Sequence, residues 1–143
     1  MALINSNGLA HVRLTVTDIA RSKTFYDEVF GWPAVIDASE HAEDPAVRAS
    51  QEQFYGGVVY QTPQGTLVGL RPVGETGFDP DTTGLDHVSF AVDSREALQE
   101  AAQALDGAGI ERGEITDLRD AGLAILSFQD PDGINLELTA PLG

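Results

Sequence analysis

Three residues of this sequence have the types and spacing to share one piece of chemistry. His11 and His87 sit at the same place in two matching segments, residues 8–16 and 84–92, which are identical at five of nine positions and lie 76 residues apart. Glu137 follows the turn 131–133, in a stretch that matches residues 63–70 at an offset of 68 and places Gly69 opposite it. A repeat that returns an imidazole to one position and adds a carboxylate at another gathers positions 11, 69, 87 and 137 around one centre. Two imidazoles and a carboxylate hold a first-row divalent ion and leave vertices open for water or substrate. Gly69 supplies no side-chain ligand, so the fourth vertex is free. His41, in a polar stretch, reads as a solvated loop residue.

The elements that position these residues follow from alternation. Val12, Leu14 and Val16 share one face of the first strand, with His11, Arg13 and Thr15 on the other; Val88, Phe90 and Val92 likewise oppose His87, Ser89 and Ala91. Each strand runs into a helix. The first covers about 19–30, capped by Asp18, turning Ile19, Phe25, Val29 and Phe30 to the core and stopped by Gly31 and Pro33. The second covers about 95–106, capped by Ser94, with Ala97, Leu98, Ala101 and Leu105 at helical spacing. Further strands are expected at 34–39, 57–62 and 111–117, at 123–129, and after each Pro-Gly turn. Residues 40–53 read as a loop or one helical turn. The pattern is β-α-β-β-β twice, an α+β chain. Module one spans about 8–73, a linker about 74–83, and module two about 84–140, all within one domain, 1–143. The two modules are expected to form a curved, cup-shaped mixed sheet with helices outside and His11, His87 and Glu137 on the inner side.

Composition narrows the partners. The chain has 143 residues, 8 Lys plus Arg against 23 Asp plus Glu, a net charge of −15 and no Cys. A chain this acidic does not suit nucleic acid or an anionic membrane surface. Without Cys, metal ligands are N and O only and no thiolate nucleophile exists. The single lysine, Lys23, leaves little room for Schiff-base chemistry. No apolar run reaches the roughly 20 residues needed to span a bilayer, and no targeting segment is visible, so a cytoplasmic location is expected.

Taken together, His11 within its strand, Phe25-Tyr26 with Phe30-Gly31, residues 84–90 around His87, and the run 128–133 leading to Glu137 resemble the vicinal oxygen chelate superfamily. That group includes glyoxalase I, extradiol dioxygenases, methylmalonyl-CoA epimerase, and fosfomycin- and bleomycin-resistance proteins. The resemblance spans residues 8–140 and is more specific for fold than for reaction. It implies paired βαβββ modules, a homodimer, a small-molecule substrate and one divalent ion (Fe, Mn, Ni or Zn) on His11, His87 and Glu137. Gly69 departs from the glyoxalase pattern, which places a ligand or base there. Glu137 and, for want of another base, Tyr60 are the candidate catalytic residues. Arg13, Arg71, Ser89 and Asn135 are the candidate substrate-binding residues, Arg71 sharing the side of Gly69 and able to grip an anionic group. A metal-dependent dioxygenase, lyase or isomerase ranks ahead of the alternative, a metal-independent protein of bleomycin-resistance type that sequesters a cationic drug.

Overall fold

Alternating apolar residues make the strands of this chain, and the computed structural model, which describes residues 2–143, pairs them into two four-stranded sheets. The described residues divide into two compact units, one ending at Thr76 and the other beginning at Gly77.

In the first unit β1 (His11–Thr15), β2 (Ala34–Asp37), β3 (Val58–Gln61) and β4 (Leu67–Arg71) stand in the order β1-β4-β3-β2. Strand β1 runs parallel to β4, and the other pairs are antiparallel. Helix α1 (Ile19–Val29) makes the crossover that a parallel pair requires. The Asp18 carboxylate accepts from the Arg21 N–H at its start, as expected. Its buried residues are Ile19, Ser22 and Tyr26. The expected stripe of Phe25, Val29 and Phe30 is therefore corrected: these three are half-exposed, and Tyr26, fully buried, faces the sheet. The polar stretch after β2 contains the helical turn α2 (Pro45–Arg48) flanked by 3-10 turns at Ser39–His41 and Phe54–Gly56.

The second unit repeats this plan. Strands β5 (Val88–Ala91), β6 (Thr116–Leu118), β7 (Leu123–Gln129) and β8 (Asn135–Pro141) stand in the order β5-β8-β7-β6, with β5 parallel to β8. Helix α3 (Arg95–Gly107) is capped by Ser94 and buries Leu98, Ala102 and Leu105. The segment 111–117 yields only the short β6 and an isolated bridge from Arg112 to Phe128.

Register confirms the repeat residue by residue. Val12 pairs with Val68 and Arg13 with Gly69; Val88 pairs with Leu136 and Ser89 with Glu137. Val58 pairs with Leu70 as Leu126 pairs with Leu138. Each sheet thus has a helix-covered apolar face. In the first it carries Leu14, Val58, Tyr60, Val68 and Leu70; in the second it carries Ala124, Leu126, Phe128, Leu136 and Leu138. Equivalent positions trade volume: Ser22 and Tyr26 on α1 correspond to Leu98 and Ala102 on α3. Large and small residues exchange places between helix turns, which keeps each core filled.

Candidate functional site

The face of each sheet away from its helix carries the chemistry-bearing residues. In the second unit, alternation along β8 sets Asn135, Glu137 and Thr139 on that face, beside Ser89 of β5 and His87 just before it. The Asp86 carboxylate meets His87 Nδ1 at 2.6 Å. With Nδ1–H donating to the Asp86 carboxylate, the neutral imidazole keeps the lone pair of Nε2 free, 3.6 Å from Glu137 Oε1. The hydrogen bond to Asp86 raises the His87 pKa above the ordinary imidazole value despite some burial, and the Glu137 charge adds to the effect.

Glu137 has a side chain only 14% exposed, so its carboxylate needs partners. Thr139 Oγ1 donates to Glu137 Oε1 at 3.1 Å, and the Ser89 hydroxyl is in turn hydrogen-bonded to that of Thr139. Asn135 is engaged at both ends of its amide: Nδ2 donates to the Asp86 carbonyl at 3.4 Å, and Oδ1 accepts from Gln129 Nε2 at 3.0 Å. It braces the strand segment carrying Asp86 and His87.

The His87–Glu137 pair fits a divalent ion. At 3.6 Å the two atoms are too far apart for a strong hydrogen bond, and an imidazole nitrogen and a carboxylate oxygen are both groups that would hold a divalent ion, which would supply Lewis acidity there. A fixed tautomer on the imidazole and a hydroxyl on the carboxylate are the outer contacts that such ligands use. No group of three or more metal-capable side chains is gathered among the described residues.

The matching face of the first unit is different. His11 is exposed at the start of β1, in register with Leu67. Arg13 lies over Gly69, where an added Cβ would meet its Cγ and Nε at 3.4 Å. Arg71 sets its guanidinium 4.2 Å from the centre of the Tyr55 ring, and Arg13 approaches the rings of Phe54 and Tyr55 at 5.9 and 6.0 Å. Phe54 and Tyr55 hold φ of 50° and 56°, a left-handed backbone that costs about 1–3 kcal/mol for each non-glycine residue. Gly56 continues the turn at φ 79°, and a Cβ there would fall 2.7 Å from the Ala42 Cα. Tight packing of this turn on Ala42 thus sets Tyr55 beneath Arg71.

Tyr60 is corrected as a candidate catalytic residue. It occupies the helix-covered face and is fully buried; its ring lies 6.4 Å from that of Tyr26, and its hydroxyl donates to Asp27 Oδ1 at 2.9 Å. Burial, followed by the neighbouring Asp27 carboxylate, pushes its pKa far up, the opposite of what a base requires. The repeat held the signal, since the offset of 68 sets Tyr60 against the core residue Phe128. Sequence reasoning also missed Asp86, Thr139 and Tyr55. The first two were within its reach, as the neighbour of His87 and the same-face successor of Glu137. Tyr55 was not, because alternation says nothing about a left-handed turn.

Residues 8–138 match the family described as the Glyoxalase/Bleomycin resistance protein/Dioxygenase superfamily. Among solved structures, the chain is 28% identical to a glyoxylase/bleomycin resistance protein/dioxygenase domain from Frankia sp. EAN1pec, covering 96% of this chain and 93% of that one with a TM-score of 0.75. It is 18% identical to the fosfomycin resistance protein FosX of Listeria monocytogenes, in a mutant complexed with Mn(II) and 1S,2S-dihydroxypropylphosphonic acid (TM-score 0.72; 96% and 94% covered). Lactoylglutathione lyase from Agrobacterium tumefaciens is 16% identical, with a TM-score of 0.68 and 94% of each chain covered. The comparison with curated proteins finds no match. The matched span takes in every strand of both modules except the last three residues of β8, and the chain belongs to the glyoxalase/bleomycin resistance protein/dioxygenase superfamily.

Proposed function

We propose that this protein is a divalent-metal-dependent enzyme acting on a small molecule chelated through vicinal oxygens, by a reaction of dioxygenase, lyase or isomerase type. The observation that carries the reading is the His87–Glu137 pair, with Nε2 and Oε1 3.6 Å apart and Asp86 fixing the imidazole. His87 and Glu137 are two ligands. His11 is the third, on the ground that the repeat makes it the counterpart of His87. The ion supplies Lewis acidity to the substrate oxygens. Two neutral imidazoles and one carboxylate leave it a formal charge near +1, which favours an anionic chelating substrate. Arg13 and Arg71 hold the negative charge of that substrate, and Ser89 contributes its hydroxyl. The metal is Fe, Mn, Ni or Zn, and the working unit is a cytoplasmic homodimer.

The test is elemental analysis and calorimetric titration of the metal-free protein, followed by an activity screen of each metal form against catechols, 2-oxoaldehyde–thiol adducts and epoxide antibiotics. The expected result is about one ion per chain, weakened at least about 100-fold by His11→Ala, His87→Ala or Glu137→Ala. Affinity falls as pH is lowered through the raised pKa of His87, because a proton competes for Nε2. Absence of uptake at any of these metals overturns the reading. It would promote a second one, metal-independent binding of a cationic drug, which draws on the net charge of −15 and on the acidic pair Asp86 and Glu137.

A further inference from the structure

The first unit holds a second feature, a cleft around Arg71 that goes beyond the part the proposed function gives that residue. A cleft of about 550 Å³ is lined by Arg48, Arg71 and Glu43, with Pro45, Ala49 and Val73 supplying its apolar wall. With 23 Asp and Glu against 8 Lys and Arg, carboxylate partners are abundant in this chain. The arginines of the second unit take them: Arg95 and Arg119 meet Asp117, and Arg112 meets Asp106. Arg48 and Arg71 have no carboxylate within 4 Å among the described residues, although Glu43 lines the same cleft. The Nε of Arg71 is buried without a hydrogen-bond partner. Its guanidinium carbon instead sits 4.2 Å from the centre of the Tyr55 ring, which is presented by a turn built from two left-handed aromatic residues. An unpartnered buried donor and a strained support are both unfavourable in isolation, and such features concentrate at ligand sites.

The geometry points to an anion site at Arg48 and Arg71, fitted to the carboxylate of a small organic acid with an apolar body. The fork of a guanidinium matches a carboxylate in two parallel hydrogen bonds. Two arginines and one glutamate give the lining a net charge of +1, which suits a singly charged oxyanion better than a dianion. Pro45, Ala49 and Val73 offer one apolar wall to the body of the acid. The lining lies wholly in the first unit; the site shares Arg71 with the proposed function but includes none of the proposed metal ligands, so it can stand without the ion.

Benzoate is the probe, titrated by calorimetry and by amide chemical shifts into the full-length protein. Saturable binding is expected, with amide shifts centred on residues 43–49 and 71–73. Arg71→Ala weakens it about tenfold or more, as loss of a bidentate charged contact should. Arg71→Lys, which keeps charge without the fork, weakens it less, and Arg48→Ala lies between them. His87→Ala and Glu137→Ala leave it unchanged, so failure of the metal reading and failure of this one are separable. Inorganic phosphate and benzylamine bind more weakly than benzoate. Equal binding by Arg71→Ala and the parent protein, with thermal unfolding showing both folded, overturns the site. So does tighter binding of phosphate or benzylamine, or loss of benzoate binding in the His87 variant.

Discussion

Arg13, Gly69 and Arg71 of the first module stand where Ser89, Glu137 and Thr139 stand in the second. Strand order and register are the same in both, yet the equivalent faces carry opposite chemistry. In the second, two hydroxyls lead to a shielded carboxylate facing an imidazole. In the first, the carboxylate is replaced by a glycine, an arginine covers the space, and another is propped on a tyrosine. The helix-covered faces diverged mainly in how they divide volume, with one polar difference, the Tyr60 hydroxyl where the second module has Phe128. A backbone plan can therefore be duplicated and its buried side conserved in character, while the uncovered side is rewritten in charge, because substitutions there leave the core contacts intact.

The comparison can be broken first at Gly57, whose counterpart in the second module is Ile125. A Cβ at Gly57 would come within 1.9 Å of the Leu70 carbonyl oxygen, whereas the second module carries an isoleucine at the same place. Gly57→Ala is expected to destabilise by more than about 3 kcal/mol, measured by denaturant unfolding, against about 1 kcal/mol for the half-exposed Ile125→Ala. Equal losses would mean that Gly57, just before β3, and Ile125 of β7 are not held differently. The next effect concerns the second module alone. Asp86→Asn keeps the shape beside His87 and removes the charge, so metal affinity should fall about 10–100-fold. An unchanged affinity would detach Asp86 from the imidazole.

A smaller effect sharpens the assignment of faces. Tyr60→Phe makes the first core resemble the second, which has Phe128, and should cost about 1 kcal/mol through loss of the bond to Asp27 while metal affinity stays unchanged. Lower affinity would return Tyr60 to the site. The smallest effect is electrostatic. Burial tends to raise the Asp37 pKa, but hydrogen bonds from Lys23 and Ser39 outweigh it and lower the pKa from 3.8 to about 2. A depressed carboxylate stabilises the fold above its unfolded pKa, so the contribution is present above about pH 4 and lost as pH falls toward 2. Because the pair is about one-third exposed, the stability gap between the parent and Asp37→Asn should be small and should close across that window.

Most of the architecture was legible in the sequence because alternation and repetition report backbone position directly. The turn at 131–133 and the strand 123–129 came from such signals, and both helix caps from the capping types of Asp18 and Ser94. The first helix stripe was misread because Tyr26 packs against Tyr60, a choice made by the opposing strand rather than by spacing within the helix. At the candidate site, the pairing of His87 with Glu137 was legible from the repeat. The bracing by Asp86 and Thr139 followed from the same alternation but concerns residues whose types are common on any surface. The platform under Arg71 was not legible, since it rests on torsion angles that Phe54 and Tyr55 rarely adopt.

The closure of each sheet within its own half of the chain has a consequence for biosynthesis. By the time Thr76 leaves the ribosome, every strand that the first sheet needs has already been made. Its parallel pair, β1 with β4, can therefore zip up while the second half is still being translated. Since its edge partners are all internal to that half, the nascent module has no need to wait for a strand that has yet to be synthesised.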